Sequence, residues 1–381
     1  MKKLIVILFF ALLQTSYSQW VSCKNGLNDT IKALEISGNN IFAGTYGGGI
    51  FISTDDGNLW TANNIGLTNL IVNSFAISGN NIFAGTSRGV FLSSDNGNNW
   101  EVKGLTDLTI WSLAISGNNI FAGASKGIYL SIDSGKSWKI MGLKDFTIVS
   151  IAINGNNIFA GTYGNGIYLS TDNGNNWAPI NSGLTSLYIM SLSIVGNNVF
   201  IGIYGGGIYL STENGNNWTE TDSGLTSKSV LALATSGNNI FAGTEGGIFL
   251  STNNGNNWNV KNDGLTNYSV SPLVISGNNI FAGTWGDGIF RAKLSDFGIS
   301  NVNDETNYNS ILLYPNPAGN NLNIIFHNNK TENKIEIINL LGTKVMEYYS
   351  QEQRTTINIE SLPRGVYFLR TGNQTKMFVK E

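Results

Sequence analysis

Cysteine and histidine are almost absent, with one of each in 381 residues. A single thiol, Cys23, rules out an intrachain disulfide, and a lone free cysteine is expected to sit buried as a small apolar residue. One cysteine and one histidine cannot assemble a zinc site. The histidine, His327, lies far from the repeats described below. That removes histidine-based acid–base or nucleophilic chemistry from them. Charge is scarce as well. Asp, Glu, Lys and Arg make up 12% of the chain, about half the usual share of roughly 25%. The formal net charge of −3 is no footprint for nucleic acid or an anionic membrane, since both need a basic patch. No cofactor is expected.

Long apolar runs are also missing, apart from one near the start. Lys2 and Lys3 precede a short apolar stretch, Leu4 to Leu13, and Ser16-Tyr17-Ser18 then offers small residues for cleavage before Gln19. Residues 1–18 read as a secretory signal peptide, too short to span a bilayer as a resident helix. Sec export to the periplasm is the expected first step. Cys23 follows Trp20-Val21-Ser22, too far from the apolar stretch and wrongly flanked for lipid attachment.

What the chain does have is glycine, 46 residues, and 11% aromatics. Asparagine is plentiful too. Gly and Asn tolerate positive φ and populate tight turns, so this composition reads as many short strands joined by many turns. The order is repetitive. The phrase Gly-Asn-Asn-Ile/Val-Phe-Ala/Ile-Gly begins at Gly38, Gly79, Gly117, Gly155, Gly196, Gly237 and Gly277. A second phrase, Ser-x-Asp-x-Gly-x-x-Trp, ends at Trp60, Trp100, Trp138, Trp177, Trp218 and Trp258, one copy fewer. Trp20 stands forty residues before Trp60 and supplies the piece that the last repeat lacks.

One unit, Thr109 to Leu143, divides into four short strands. Ile110 to Ile115 is apolar, Gly117-Asn118-Asn119 is a hairpin turn, and Ile120 to Ala124 follows. Gly127 opens the third strand, Ser131 to Ser137 turns again, and Trp138 begins the fourth. Four antiparallel strands per forty residues is a propeller blade. The fold expected is all-β: a seven-bladed β-propeller of four-stranded blades over residues 19–294. The N-terminal strand would complete the last blade and remove an open edge.

The second phrase resembles an Asp-box, or BNR repeat. Ser53 to Trp60, Ser93 to Trp100, Ser131 to Trp138 and Ser170 to Trp177 match it, while Glu213 and Asn253 replace the acid in two copies. Such boxes occur in propellers of sialidases, sortilin-type receptors, xyloglucan hydrolases and photosystem assembly factors, so the resemblance implies fold more than activity. A structural role is expected for Asp55, Asp95, Asp133 and Asp172 as acceptors in the turn. Trp60, Trp100, Trp138, Trp177, Trp218 and Trp258 are expected to pack between strands. Asp172-Asn173-Gly174-Asn175-Asn176 lacks the far carboxylate of a calcium loop, so no metal is expected. The three arginines with which related sialidases grip their substrate are absent, since the propeller carries only Arg88 and Arg291.

In a four-stranded meander, the first and third turns share one face and the second turn shares the other with the link between blades. The second face carries the variable residues, namely Tyr46, Arg88, Lys126, Tyr163, Tyr204, Glu245 and Trp285 in the second turns. Trp111, Phe146, Tyr188 and Tyr268 lie in the links, where packing between blades is expected. Aromatic rings with a few charges around a funnel suit stacking on sugars or gripping a peptide. A binding or adhesion module for glycan or protein is the reading adopted. The rivals are a polysaccharide hydrolase using loop carboxylates such as Glu245 and Asp287, with Asp29, Asp107 and Asp145 nearby in the links, and an assembly factor or scaffold.

Residues 295–307 are polar and read as a linker. Residues 308–381 then alternate as seven short strands, which suggests a small β-sandwich, Ig-like. Tyr314-Pro315-Asn316-Pro317, Leu362-Pro363-Arg364-Gly365-Val366-Tyr367-Phe368 and Lys376-Met377-Phe378-Val379-Lys380-Glu381 together resemble a type A sorting domain of type IX secretion. That resemblance implies reading by the outer-membrane translocon, removal by a sortase, and a secreted or outer-surface location.

Overall fold

A computed structural model describes residues 18–299 and, beyond them, 311–314, 318–326, 333–340, 342–350, 352, 354–371 and 374–380. The leader is outside the described residues except for Ser18, as are His327 and most of the expected linker. The chain divides into two compact units at Ser300 and Asn301.

The first unit is a ring of four-stranded antiparallel sheets, and seven blades account for it. Blade 1 runs Ile31–Ser37, Asn40–Thr45, Ile50–Ser53 and Thr61–Ala62. Blades 2 to 6 repeat this order, beginning at Val72, Ile110, Ile148, Ile189 and Val230. Blade 7 takes Val270–Ser276, Asn279–Thr284 and Ile289–Lys293 from the end of the unit and Val21–Ser22 from its start. Val21 pairs with Arg291 and Ser22 with Phe290.

The repeated phrase becomes the second strand, and its residues explain the ring. Phe42, Phe83, Phe121, Phe159, Phe200, Phe241 and Phe281 are all buried, each against the neighbouring blade. The glycine that follows sits where blades approach most closely. A Cβ on Gly44 would come within 2.8 Å of Val72, and one on Gly283 within 2.6 Å of Ile31. Glycine normally weakens a strand interior, but here it is the residue that lets the next blade close in. The Gly283–Ile31 contact joins blade 7 to blade 1.

The Ser-to-Trp turns are local hydrogen-bonded devices. Asp95 Oδ1 accepts from the Asn99 N–H at 2.9 Å and from Ser93 Oγ at 2.8 Å. Asn253 makes the equivalent pair, at 3.0 and 2.9 Å. The carboxylate of Glu213, one methylene longer, accepts only at 3.4 Å, from Asn217 Nδ2. The tryptophan ending each turn reaches the preceding blade. Trp60 donates to Cys23, Trp100 to Asn63, Trp138 to Lys103, Trp218 to Ile180 and Trp258 to Thr221. Trp177 departs, donating to Gly174 in its own turn.

Two further expectations are corrected. Trp138 and Trp177 are half-buried rather than core residues. Four positions separate tryptophan from the following glycine in Trp100-to-Gly104 and Trp138-to-Gly142, against six in Trp60-to-Gly66. The shortened segments leave the next tryptophan partly uncovered, and Leu105 and Leu143 take positive φ of 55° and 52° to make the turn. Clefts of about 520 and 370 Å³ open beside Trp138 as a result. The propeller also runs past Leu294. Residues Leu294–Phe297 form a 3-10 turn, and Phe297 and Ile299 are buried in the cluster of Trp20 and Phe241. Apolar burial thus claims residues whose polar neighbours suggested a linker.

The second unit holds two antiparallel sheets. Ile311–Tyr314, Asn321–Phe326 and Arg354–Asn358 form one. Lys344–Ser350, Asn333–Asn339, Gly365–Thr371 and Gln374–Lys380 form the other, in that spatial order. Leu322, Ile324 and Ile357 of the first meet Ile335, Ile337, Leu369 and Phe378 of the second in one core, the packing of a sandwich.

Candidate functional site

The second turns differ in length, and length goes with residue type. Blades 1, 4, 5 and 7 have the longer turn and begin it with Tyr46, Tyr163, Tyr204 and Trp285; blades 2, 3 and 6 have the shorter and carry Arg88, Lys126 and Glu245. All seven side chains are exposed. Each aromatic residue is anchored through its backbone: Tyr46 N–H donates to Thr30 at 3.0 Å, Tyr163 to Thr147 at 3.0 Å, Tyr204 to Tyr188 at 3.0 Å and Trp285 to Ser269 at 3.1 Å. The equivalent bonds in blades 2 and 3 come from Ser87 and Ser125. Arg88 and Lys126 therefore stand one position beyond the aromatic position.

The rings gather into two groups. Tyr163 meets Tyr188 edge to face, with centroids 4.9 Å apart, and the Tyr204 hydroxyl faces Glu245, which raises the phenol's pKa. Tyr188 and Tyr268 are exposed, contrary to the expected packing of link residues between blades. Trp111 and Phe146 are half-buried.

The second group surrounds a residue that the sequence reading overlooked. Lys32 Nζ lies 5.9 Å from the ring centroid of Tyr46, 5.6 Å from that of Trp111 and 5.4 Å from that of Trp285. These rings belong to blades 1, 3 and 7. Blades 1 and 3 are not neighbours, so their side chains meet only across the central channel. Lys32 stands where the pairing of Ile31–Ser37 with Asn40–Thr45 skips a residue between Ile31 and Ala33. The same skip occurs at Asn73 in blade 2 and Trp111 in blade 3. The signal was legible: one variable position, filled by Lys32, Asn73, Trp111, Val149, Met190 and Leu231, interrupts otherwise similar apolar phrases. Burial pulls the Lys32 ammonium below the ordinary lysine range. Glu35, on the same strand, is pushed up by burial, which outweighs its bond from the Ile36 N–H.

The carboxylates proposed for hydrolysis are engaged separately. Asp287 forms an ion pair with Lys24 at 2.6 Å and accepts from Thr266, while Glu245 faces the Tyr204 hydroxyl. Asp29 accepts from the N–H groups of Thr30 and Gly48 at 2.6 and 2.7 Å, fixing the turn that carries Tyr46. Asp107 and Asp145 are exposed. Among the described residues no cluster of three or more His, Cys, Asp or Glu side chains could hold a metal, and no helix is long and apolar enough to cross a membrane.

Residues 312–381 match the family model described as Secretion system C-terminal sorting domain. No curated protein is similar enough in sequence to count as a relative. Among solved structures, the extracellular domain of the putative hybrid two component system BT3049 from B. thetaiotaomicron is similar at TM-score 0.63 and 16% identity, over 95% of this chain and 57% of that one. YCF48 bound to D1 peptide is similar at TM-score 0.62 and 16% identity, over 73% and 97%. PorZ, a surface component of the type-IX secretion system of Porphyromonas gingivalis, is similar at 0.57 and 13%, over 94% and 60%. At these identities the likeness is one of fold. The chain is a β-propeller with a type IX secretion sorting tail, a tail that directs export to the surface or medium through that machinery.

Proposed function

We propose that the propeller is a secreted or surface-displayed binding or adhesion module, and that its variable face holds an extracellular glycan or protein. The observation that carries this reading is the convergence of Tyr46, Trp111 and Trp285 on Lys32 at the channel mouth. Exposed rings on anchored backbone offer stacking surface at little entropic cost. The hydrolase reading is weaker, because Asp287 is held by Lys24 and Thr266. A propeller of this fold bound to a peptide keeps protein ligands in view. On this reading the leader takes the chain through Sec to the periplasm, and the translocon and a sortase handle the tail. An array of polysaccharides and surface proteins probed with the secreted chain tests the reading. Binding that a rim variant, with Tyr46, Tyr163, Tyr204 and Trp285 replaced by Ala, abolishes supports it; polymer cleavage that survives that variant overturns it.

A further inference from the structure

The channel mouth holds donors without acceptors. The Trp111 indole N–H is fully buried and has no hydrogen-bond partner among the described residues. Lys32 Nζ is enclosed by three rings, which attract its charge but accept none of its N–H groups in the manner of an oxygen. Asn73 Oδ1, an acceptor from the blade between those of Lys32 and Trp111, is buried without a partner as well, while the unpartnered hydroxyls of Ser74, Ser150 and Ser191 lie against Gly85, Gly161 and Gly202 of their own blades. All these side chains sit on the innermost strands, at the skip in pairing or one residue after it. A buried donor left unpaired is costly, and the Trp111 N–H beside Lys32 marks a place whose missing partner comes from outside.

A cation beside an unpaired N–H selects an anion. The flat faces of Tyr46 and Trp285 are exposed beside it, open platforms that suit a pyranose ring better than a peptide side chain, which is anchored in a closed pocket. We propose that the channel mouth binds a uronic-acid unit of an extracellular polysaccharide. Lys32 Nζ and Trp111 Nε1 donate to its carboxylate, and Tyr46 and Trp285 stack on the sugar rings. The inference rests on the reading of this face as the ligand site.

Calorimetry on the secreted chain with polygalacturonate and alginate tests it, alongside carboxyl-reduced polygalacturonate, a neutral xyloglucan and poly-glutamate. Wild type binds a polyuronate and loses it on carboxyl reduction. Lys32→Met, which keeps the aliphatic stem, weakens binding about 10- to 100-fold, and Trp111→Phe about tenfold, as expected for lost charge-assisted and neutral hydrogen bonds. Lys32→Met melts close to wild type, because the desolvation of its half-buried ammonium offsets the attraction of the three rings. A marked fall in its melting temperature would make Lys32 a structural brace and overturn the proposal. Failure of both polyuronates, or full affinity in Lys32→Met, overturns it as well. Poly-glutamate bound as tightly, with the same sensitivity to Lys32→Met, reassigns the site to an acidic peptide. Xyloglucan binding lost in the rim variant but unchanged in Lys32→Met sinks the uronate inference and leaves the binding face standing.

Discussion

The indole N–H of Trp20 donates to the backbone carbonyl of Lys261 at 2.8 Å, across 241 positions of chain. It is the same contact that Trp258 makes to Thr221 and Trp60 to Cys23, so the first described residues close the ring with the bond used between ordinary blades. Trp20→Phe keeps the packing against Phe297 but removes the N–H, and should cost about 1 kcal/mol. Trp20→Ala should cost about 3–5 kcal/mol. Deleting residues 19–30 should expose the edge of Ile289–Lys293 and cause aggregation. An unchanged melting temperature for the deletion would show that the ring does not depend on this closure.

The box carboxylates predict an acid limb. Bonds from Asn99 and Ser93 hold Asp95 at a pKa of about 2, and those from Ser137 and Ser131 hold Asp133 at about 2. Their folded values are depressed, so the stability they contribute is present above the ordinary Asp value of 3.8 and is lost as pH falls toward 2. Asp95→Asn with Asp133→Asn should melt below wild type at pH 7. That gap should narrow below pH 3.8 and close near 2. A gap that is constant with pH would mean that the carboxylates are not the titrating groups.

Glu35 predicts the opposite slope. Burial raises its folded pKa above 4.5, so the neutral form suits the fold, and stability is lost as pH rises through the folded value. Glu35→Gln should raise the melting temperature at pH 7 and lose that advantage below pH 4.5. Thermal melts from pH 3 to 8 measure it, and a variant that is less stable at pH 7 contradicts the assignment.

Site and scaffold should separate cleanly. Replacing Tyr46, Tyr163, Tyr204 and Trp285 with Ala removes exposed rings, so the ring should melt as wild type. Ligand affinity should fall by about 1 kcal/mol per stacking contact, a few powers of ten in all. Replacing Trp60, Trp100, Trp218 and Trp258 with Ala should unfold the propeller, at about 3–5 kcal/mol per buried site. Trp177→Ala should cost less, since Trp177 is half-buried and bonds only its own turn. Wild-type affinity in the rim variant would move the site elsewhere.

Export should depend on the tail. A chain ending before Tyr314 should remain in the periplasm, while the full chain reaches the surface or medium. Fractionation and surface labelling distinguish them, and equal delivery of both would show that residues 314–381 are not the sorting signal.

The blade count, the closure through Trp20 and the two-sheet tail were legible from sequence. They follow from local periodicity: a seven-fold phrase, a missing tryptophan and alternating apolar residues each state their own strand or turn. The Asn253 turn was legible for the same reason, because its acceptors act within five residues. What sequence could not state was anything set across the ring. Lys32 is one variable letter in an apolar phrase, and nothing local says that its ammonium meets rings from blades 1, 3 and 7. The half-buried Trp138 and Trp177 are a second case, since their cover comes from the preceding blade's shortened segment. Phe297 is a third, a residue in polar company that closure of the last blade buries against Trp20 and Phe241. Strands and turns are decided by neighbours in sequence, and those the sequence determined. The channel mouth is assembled from residues far apart in the chain that only the circular packing of blades brings together, and that the tertiary structure alone decided.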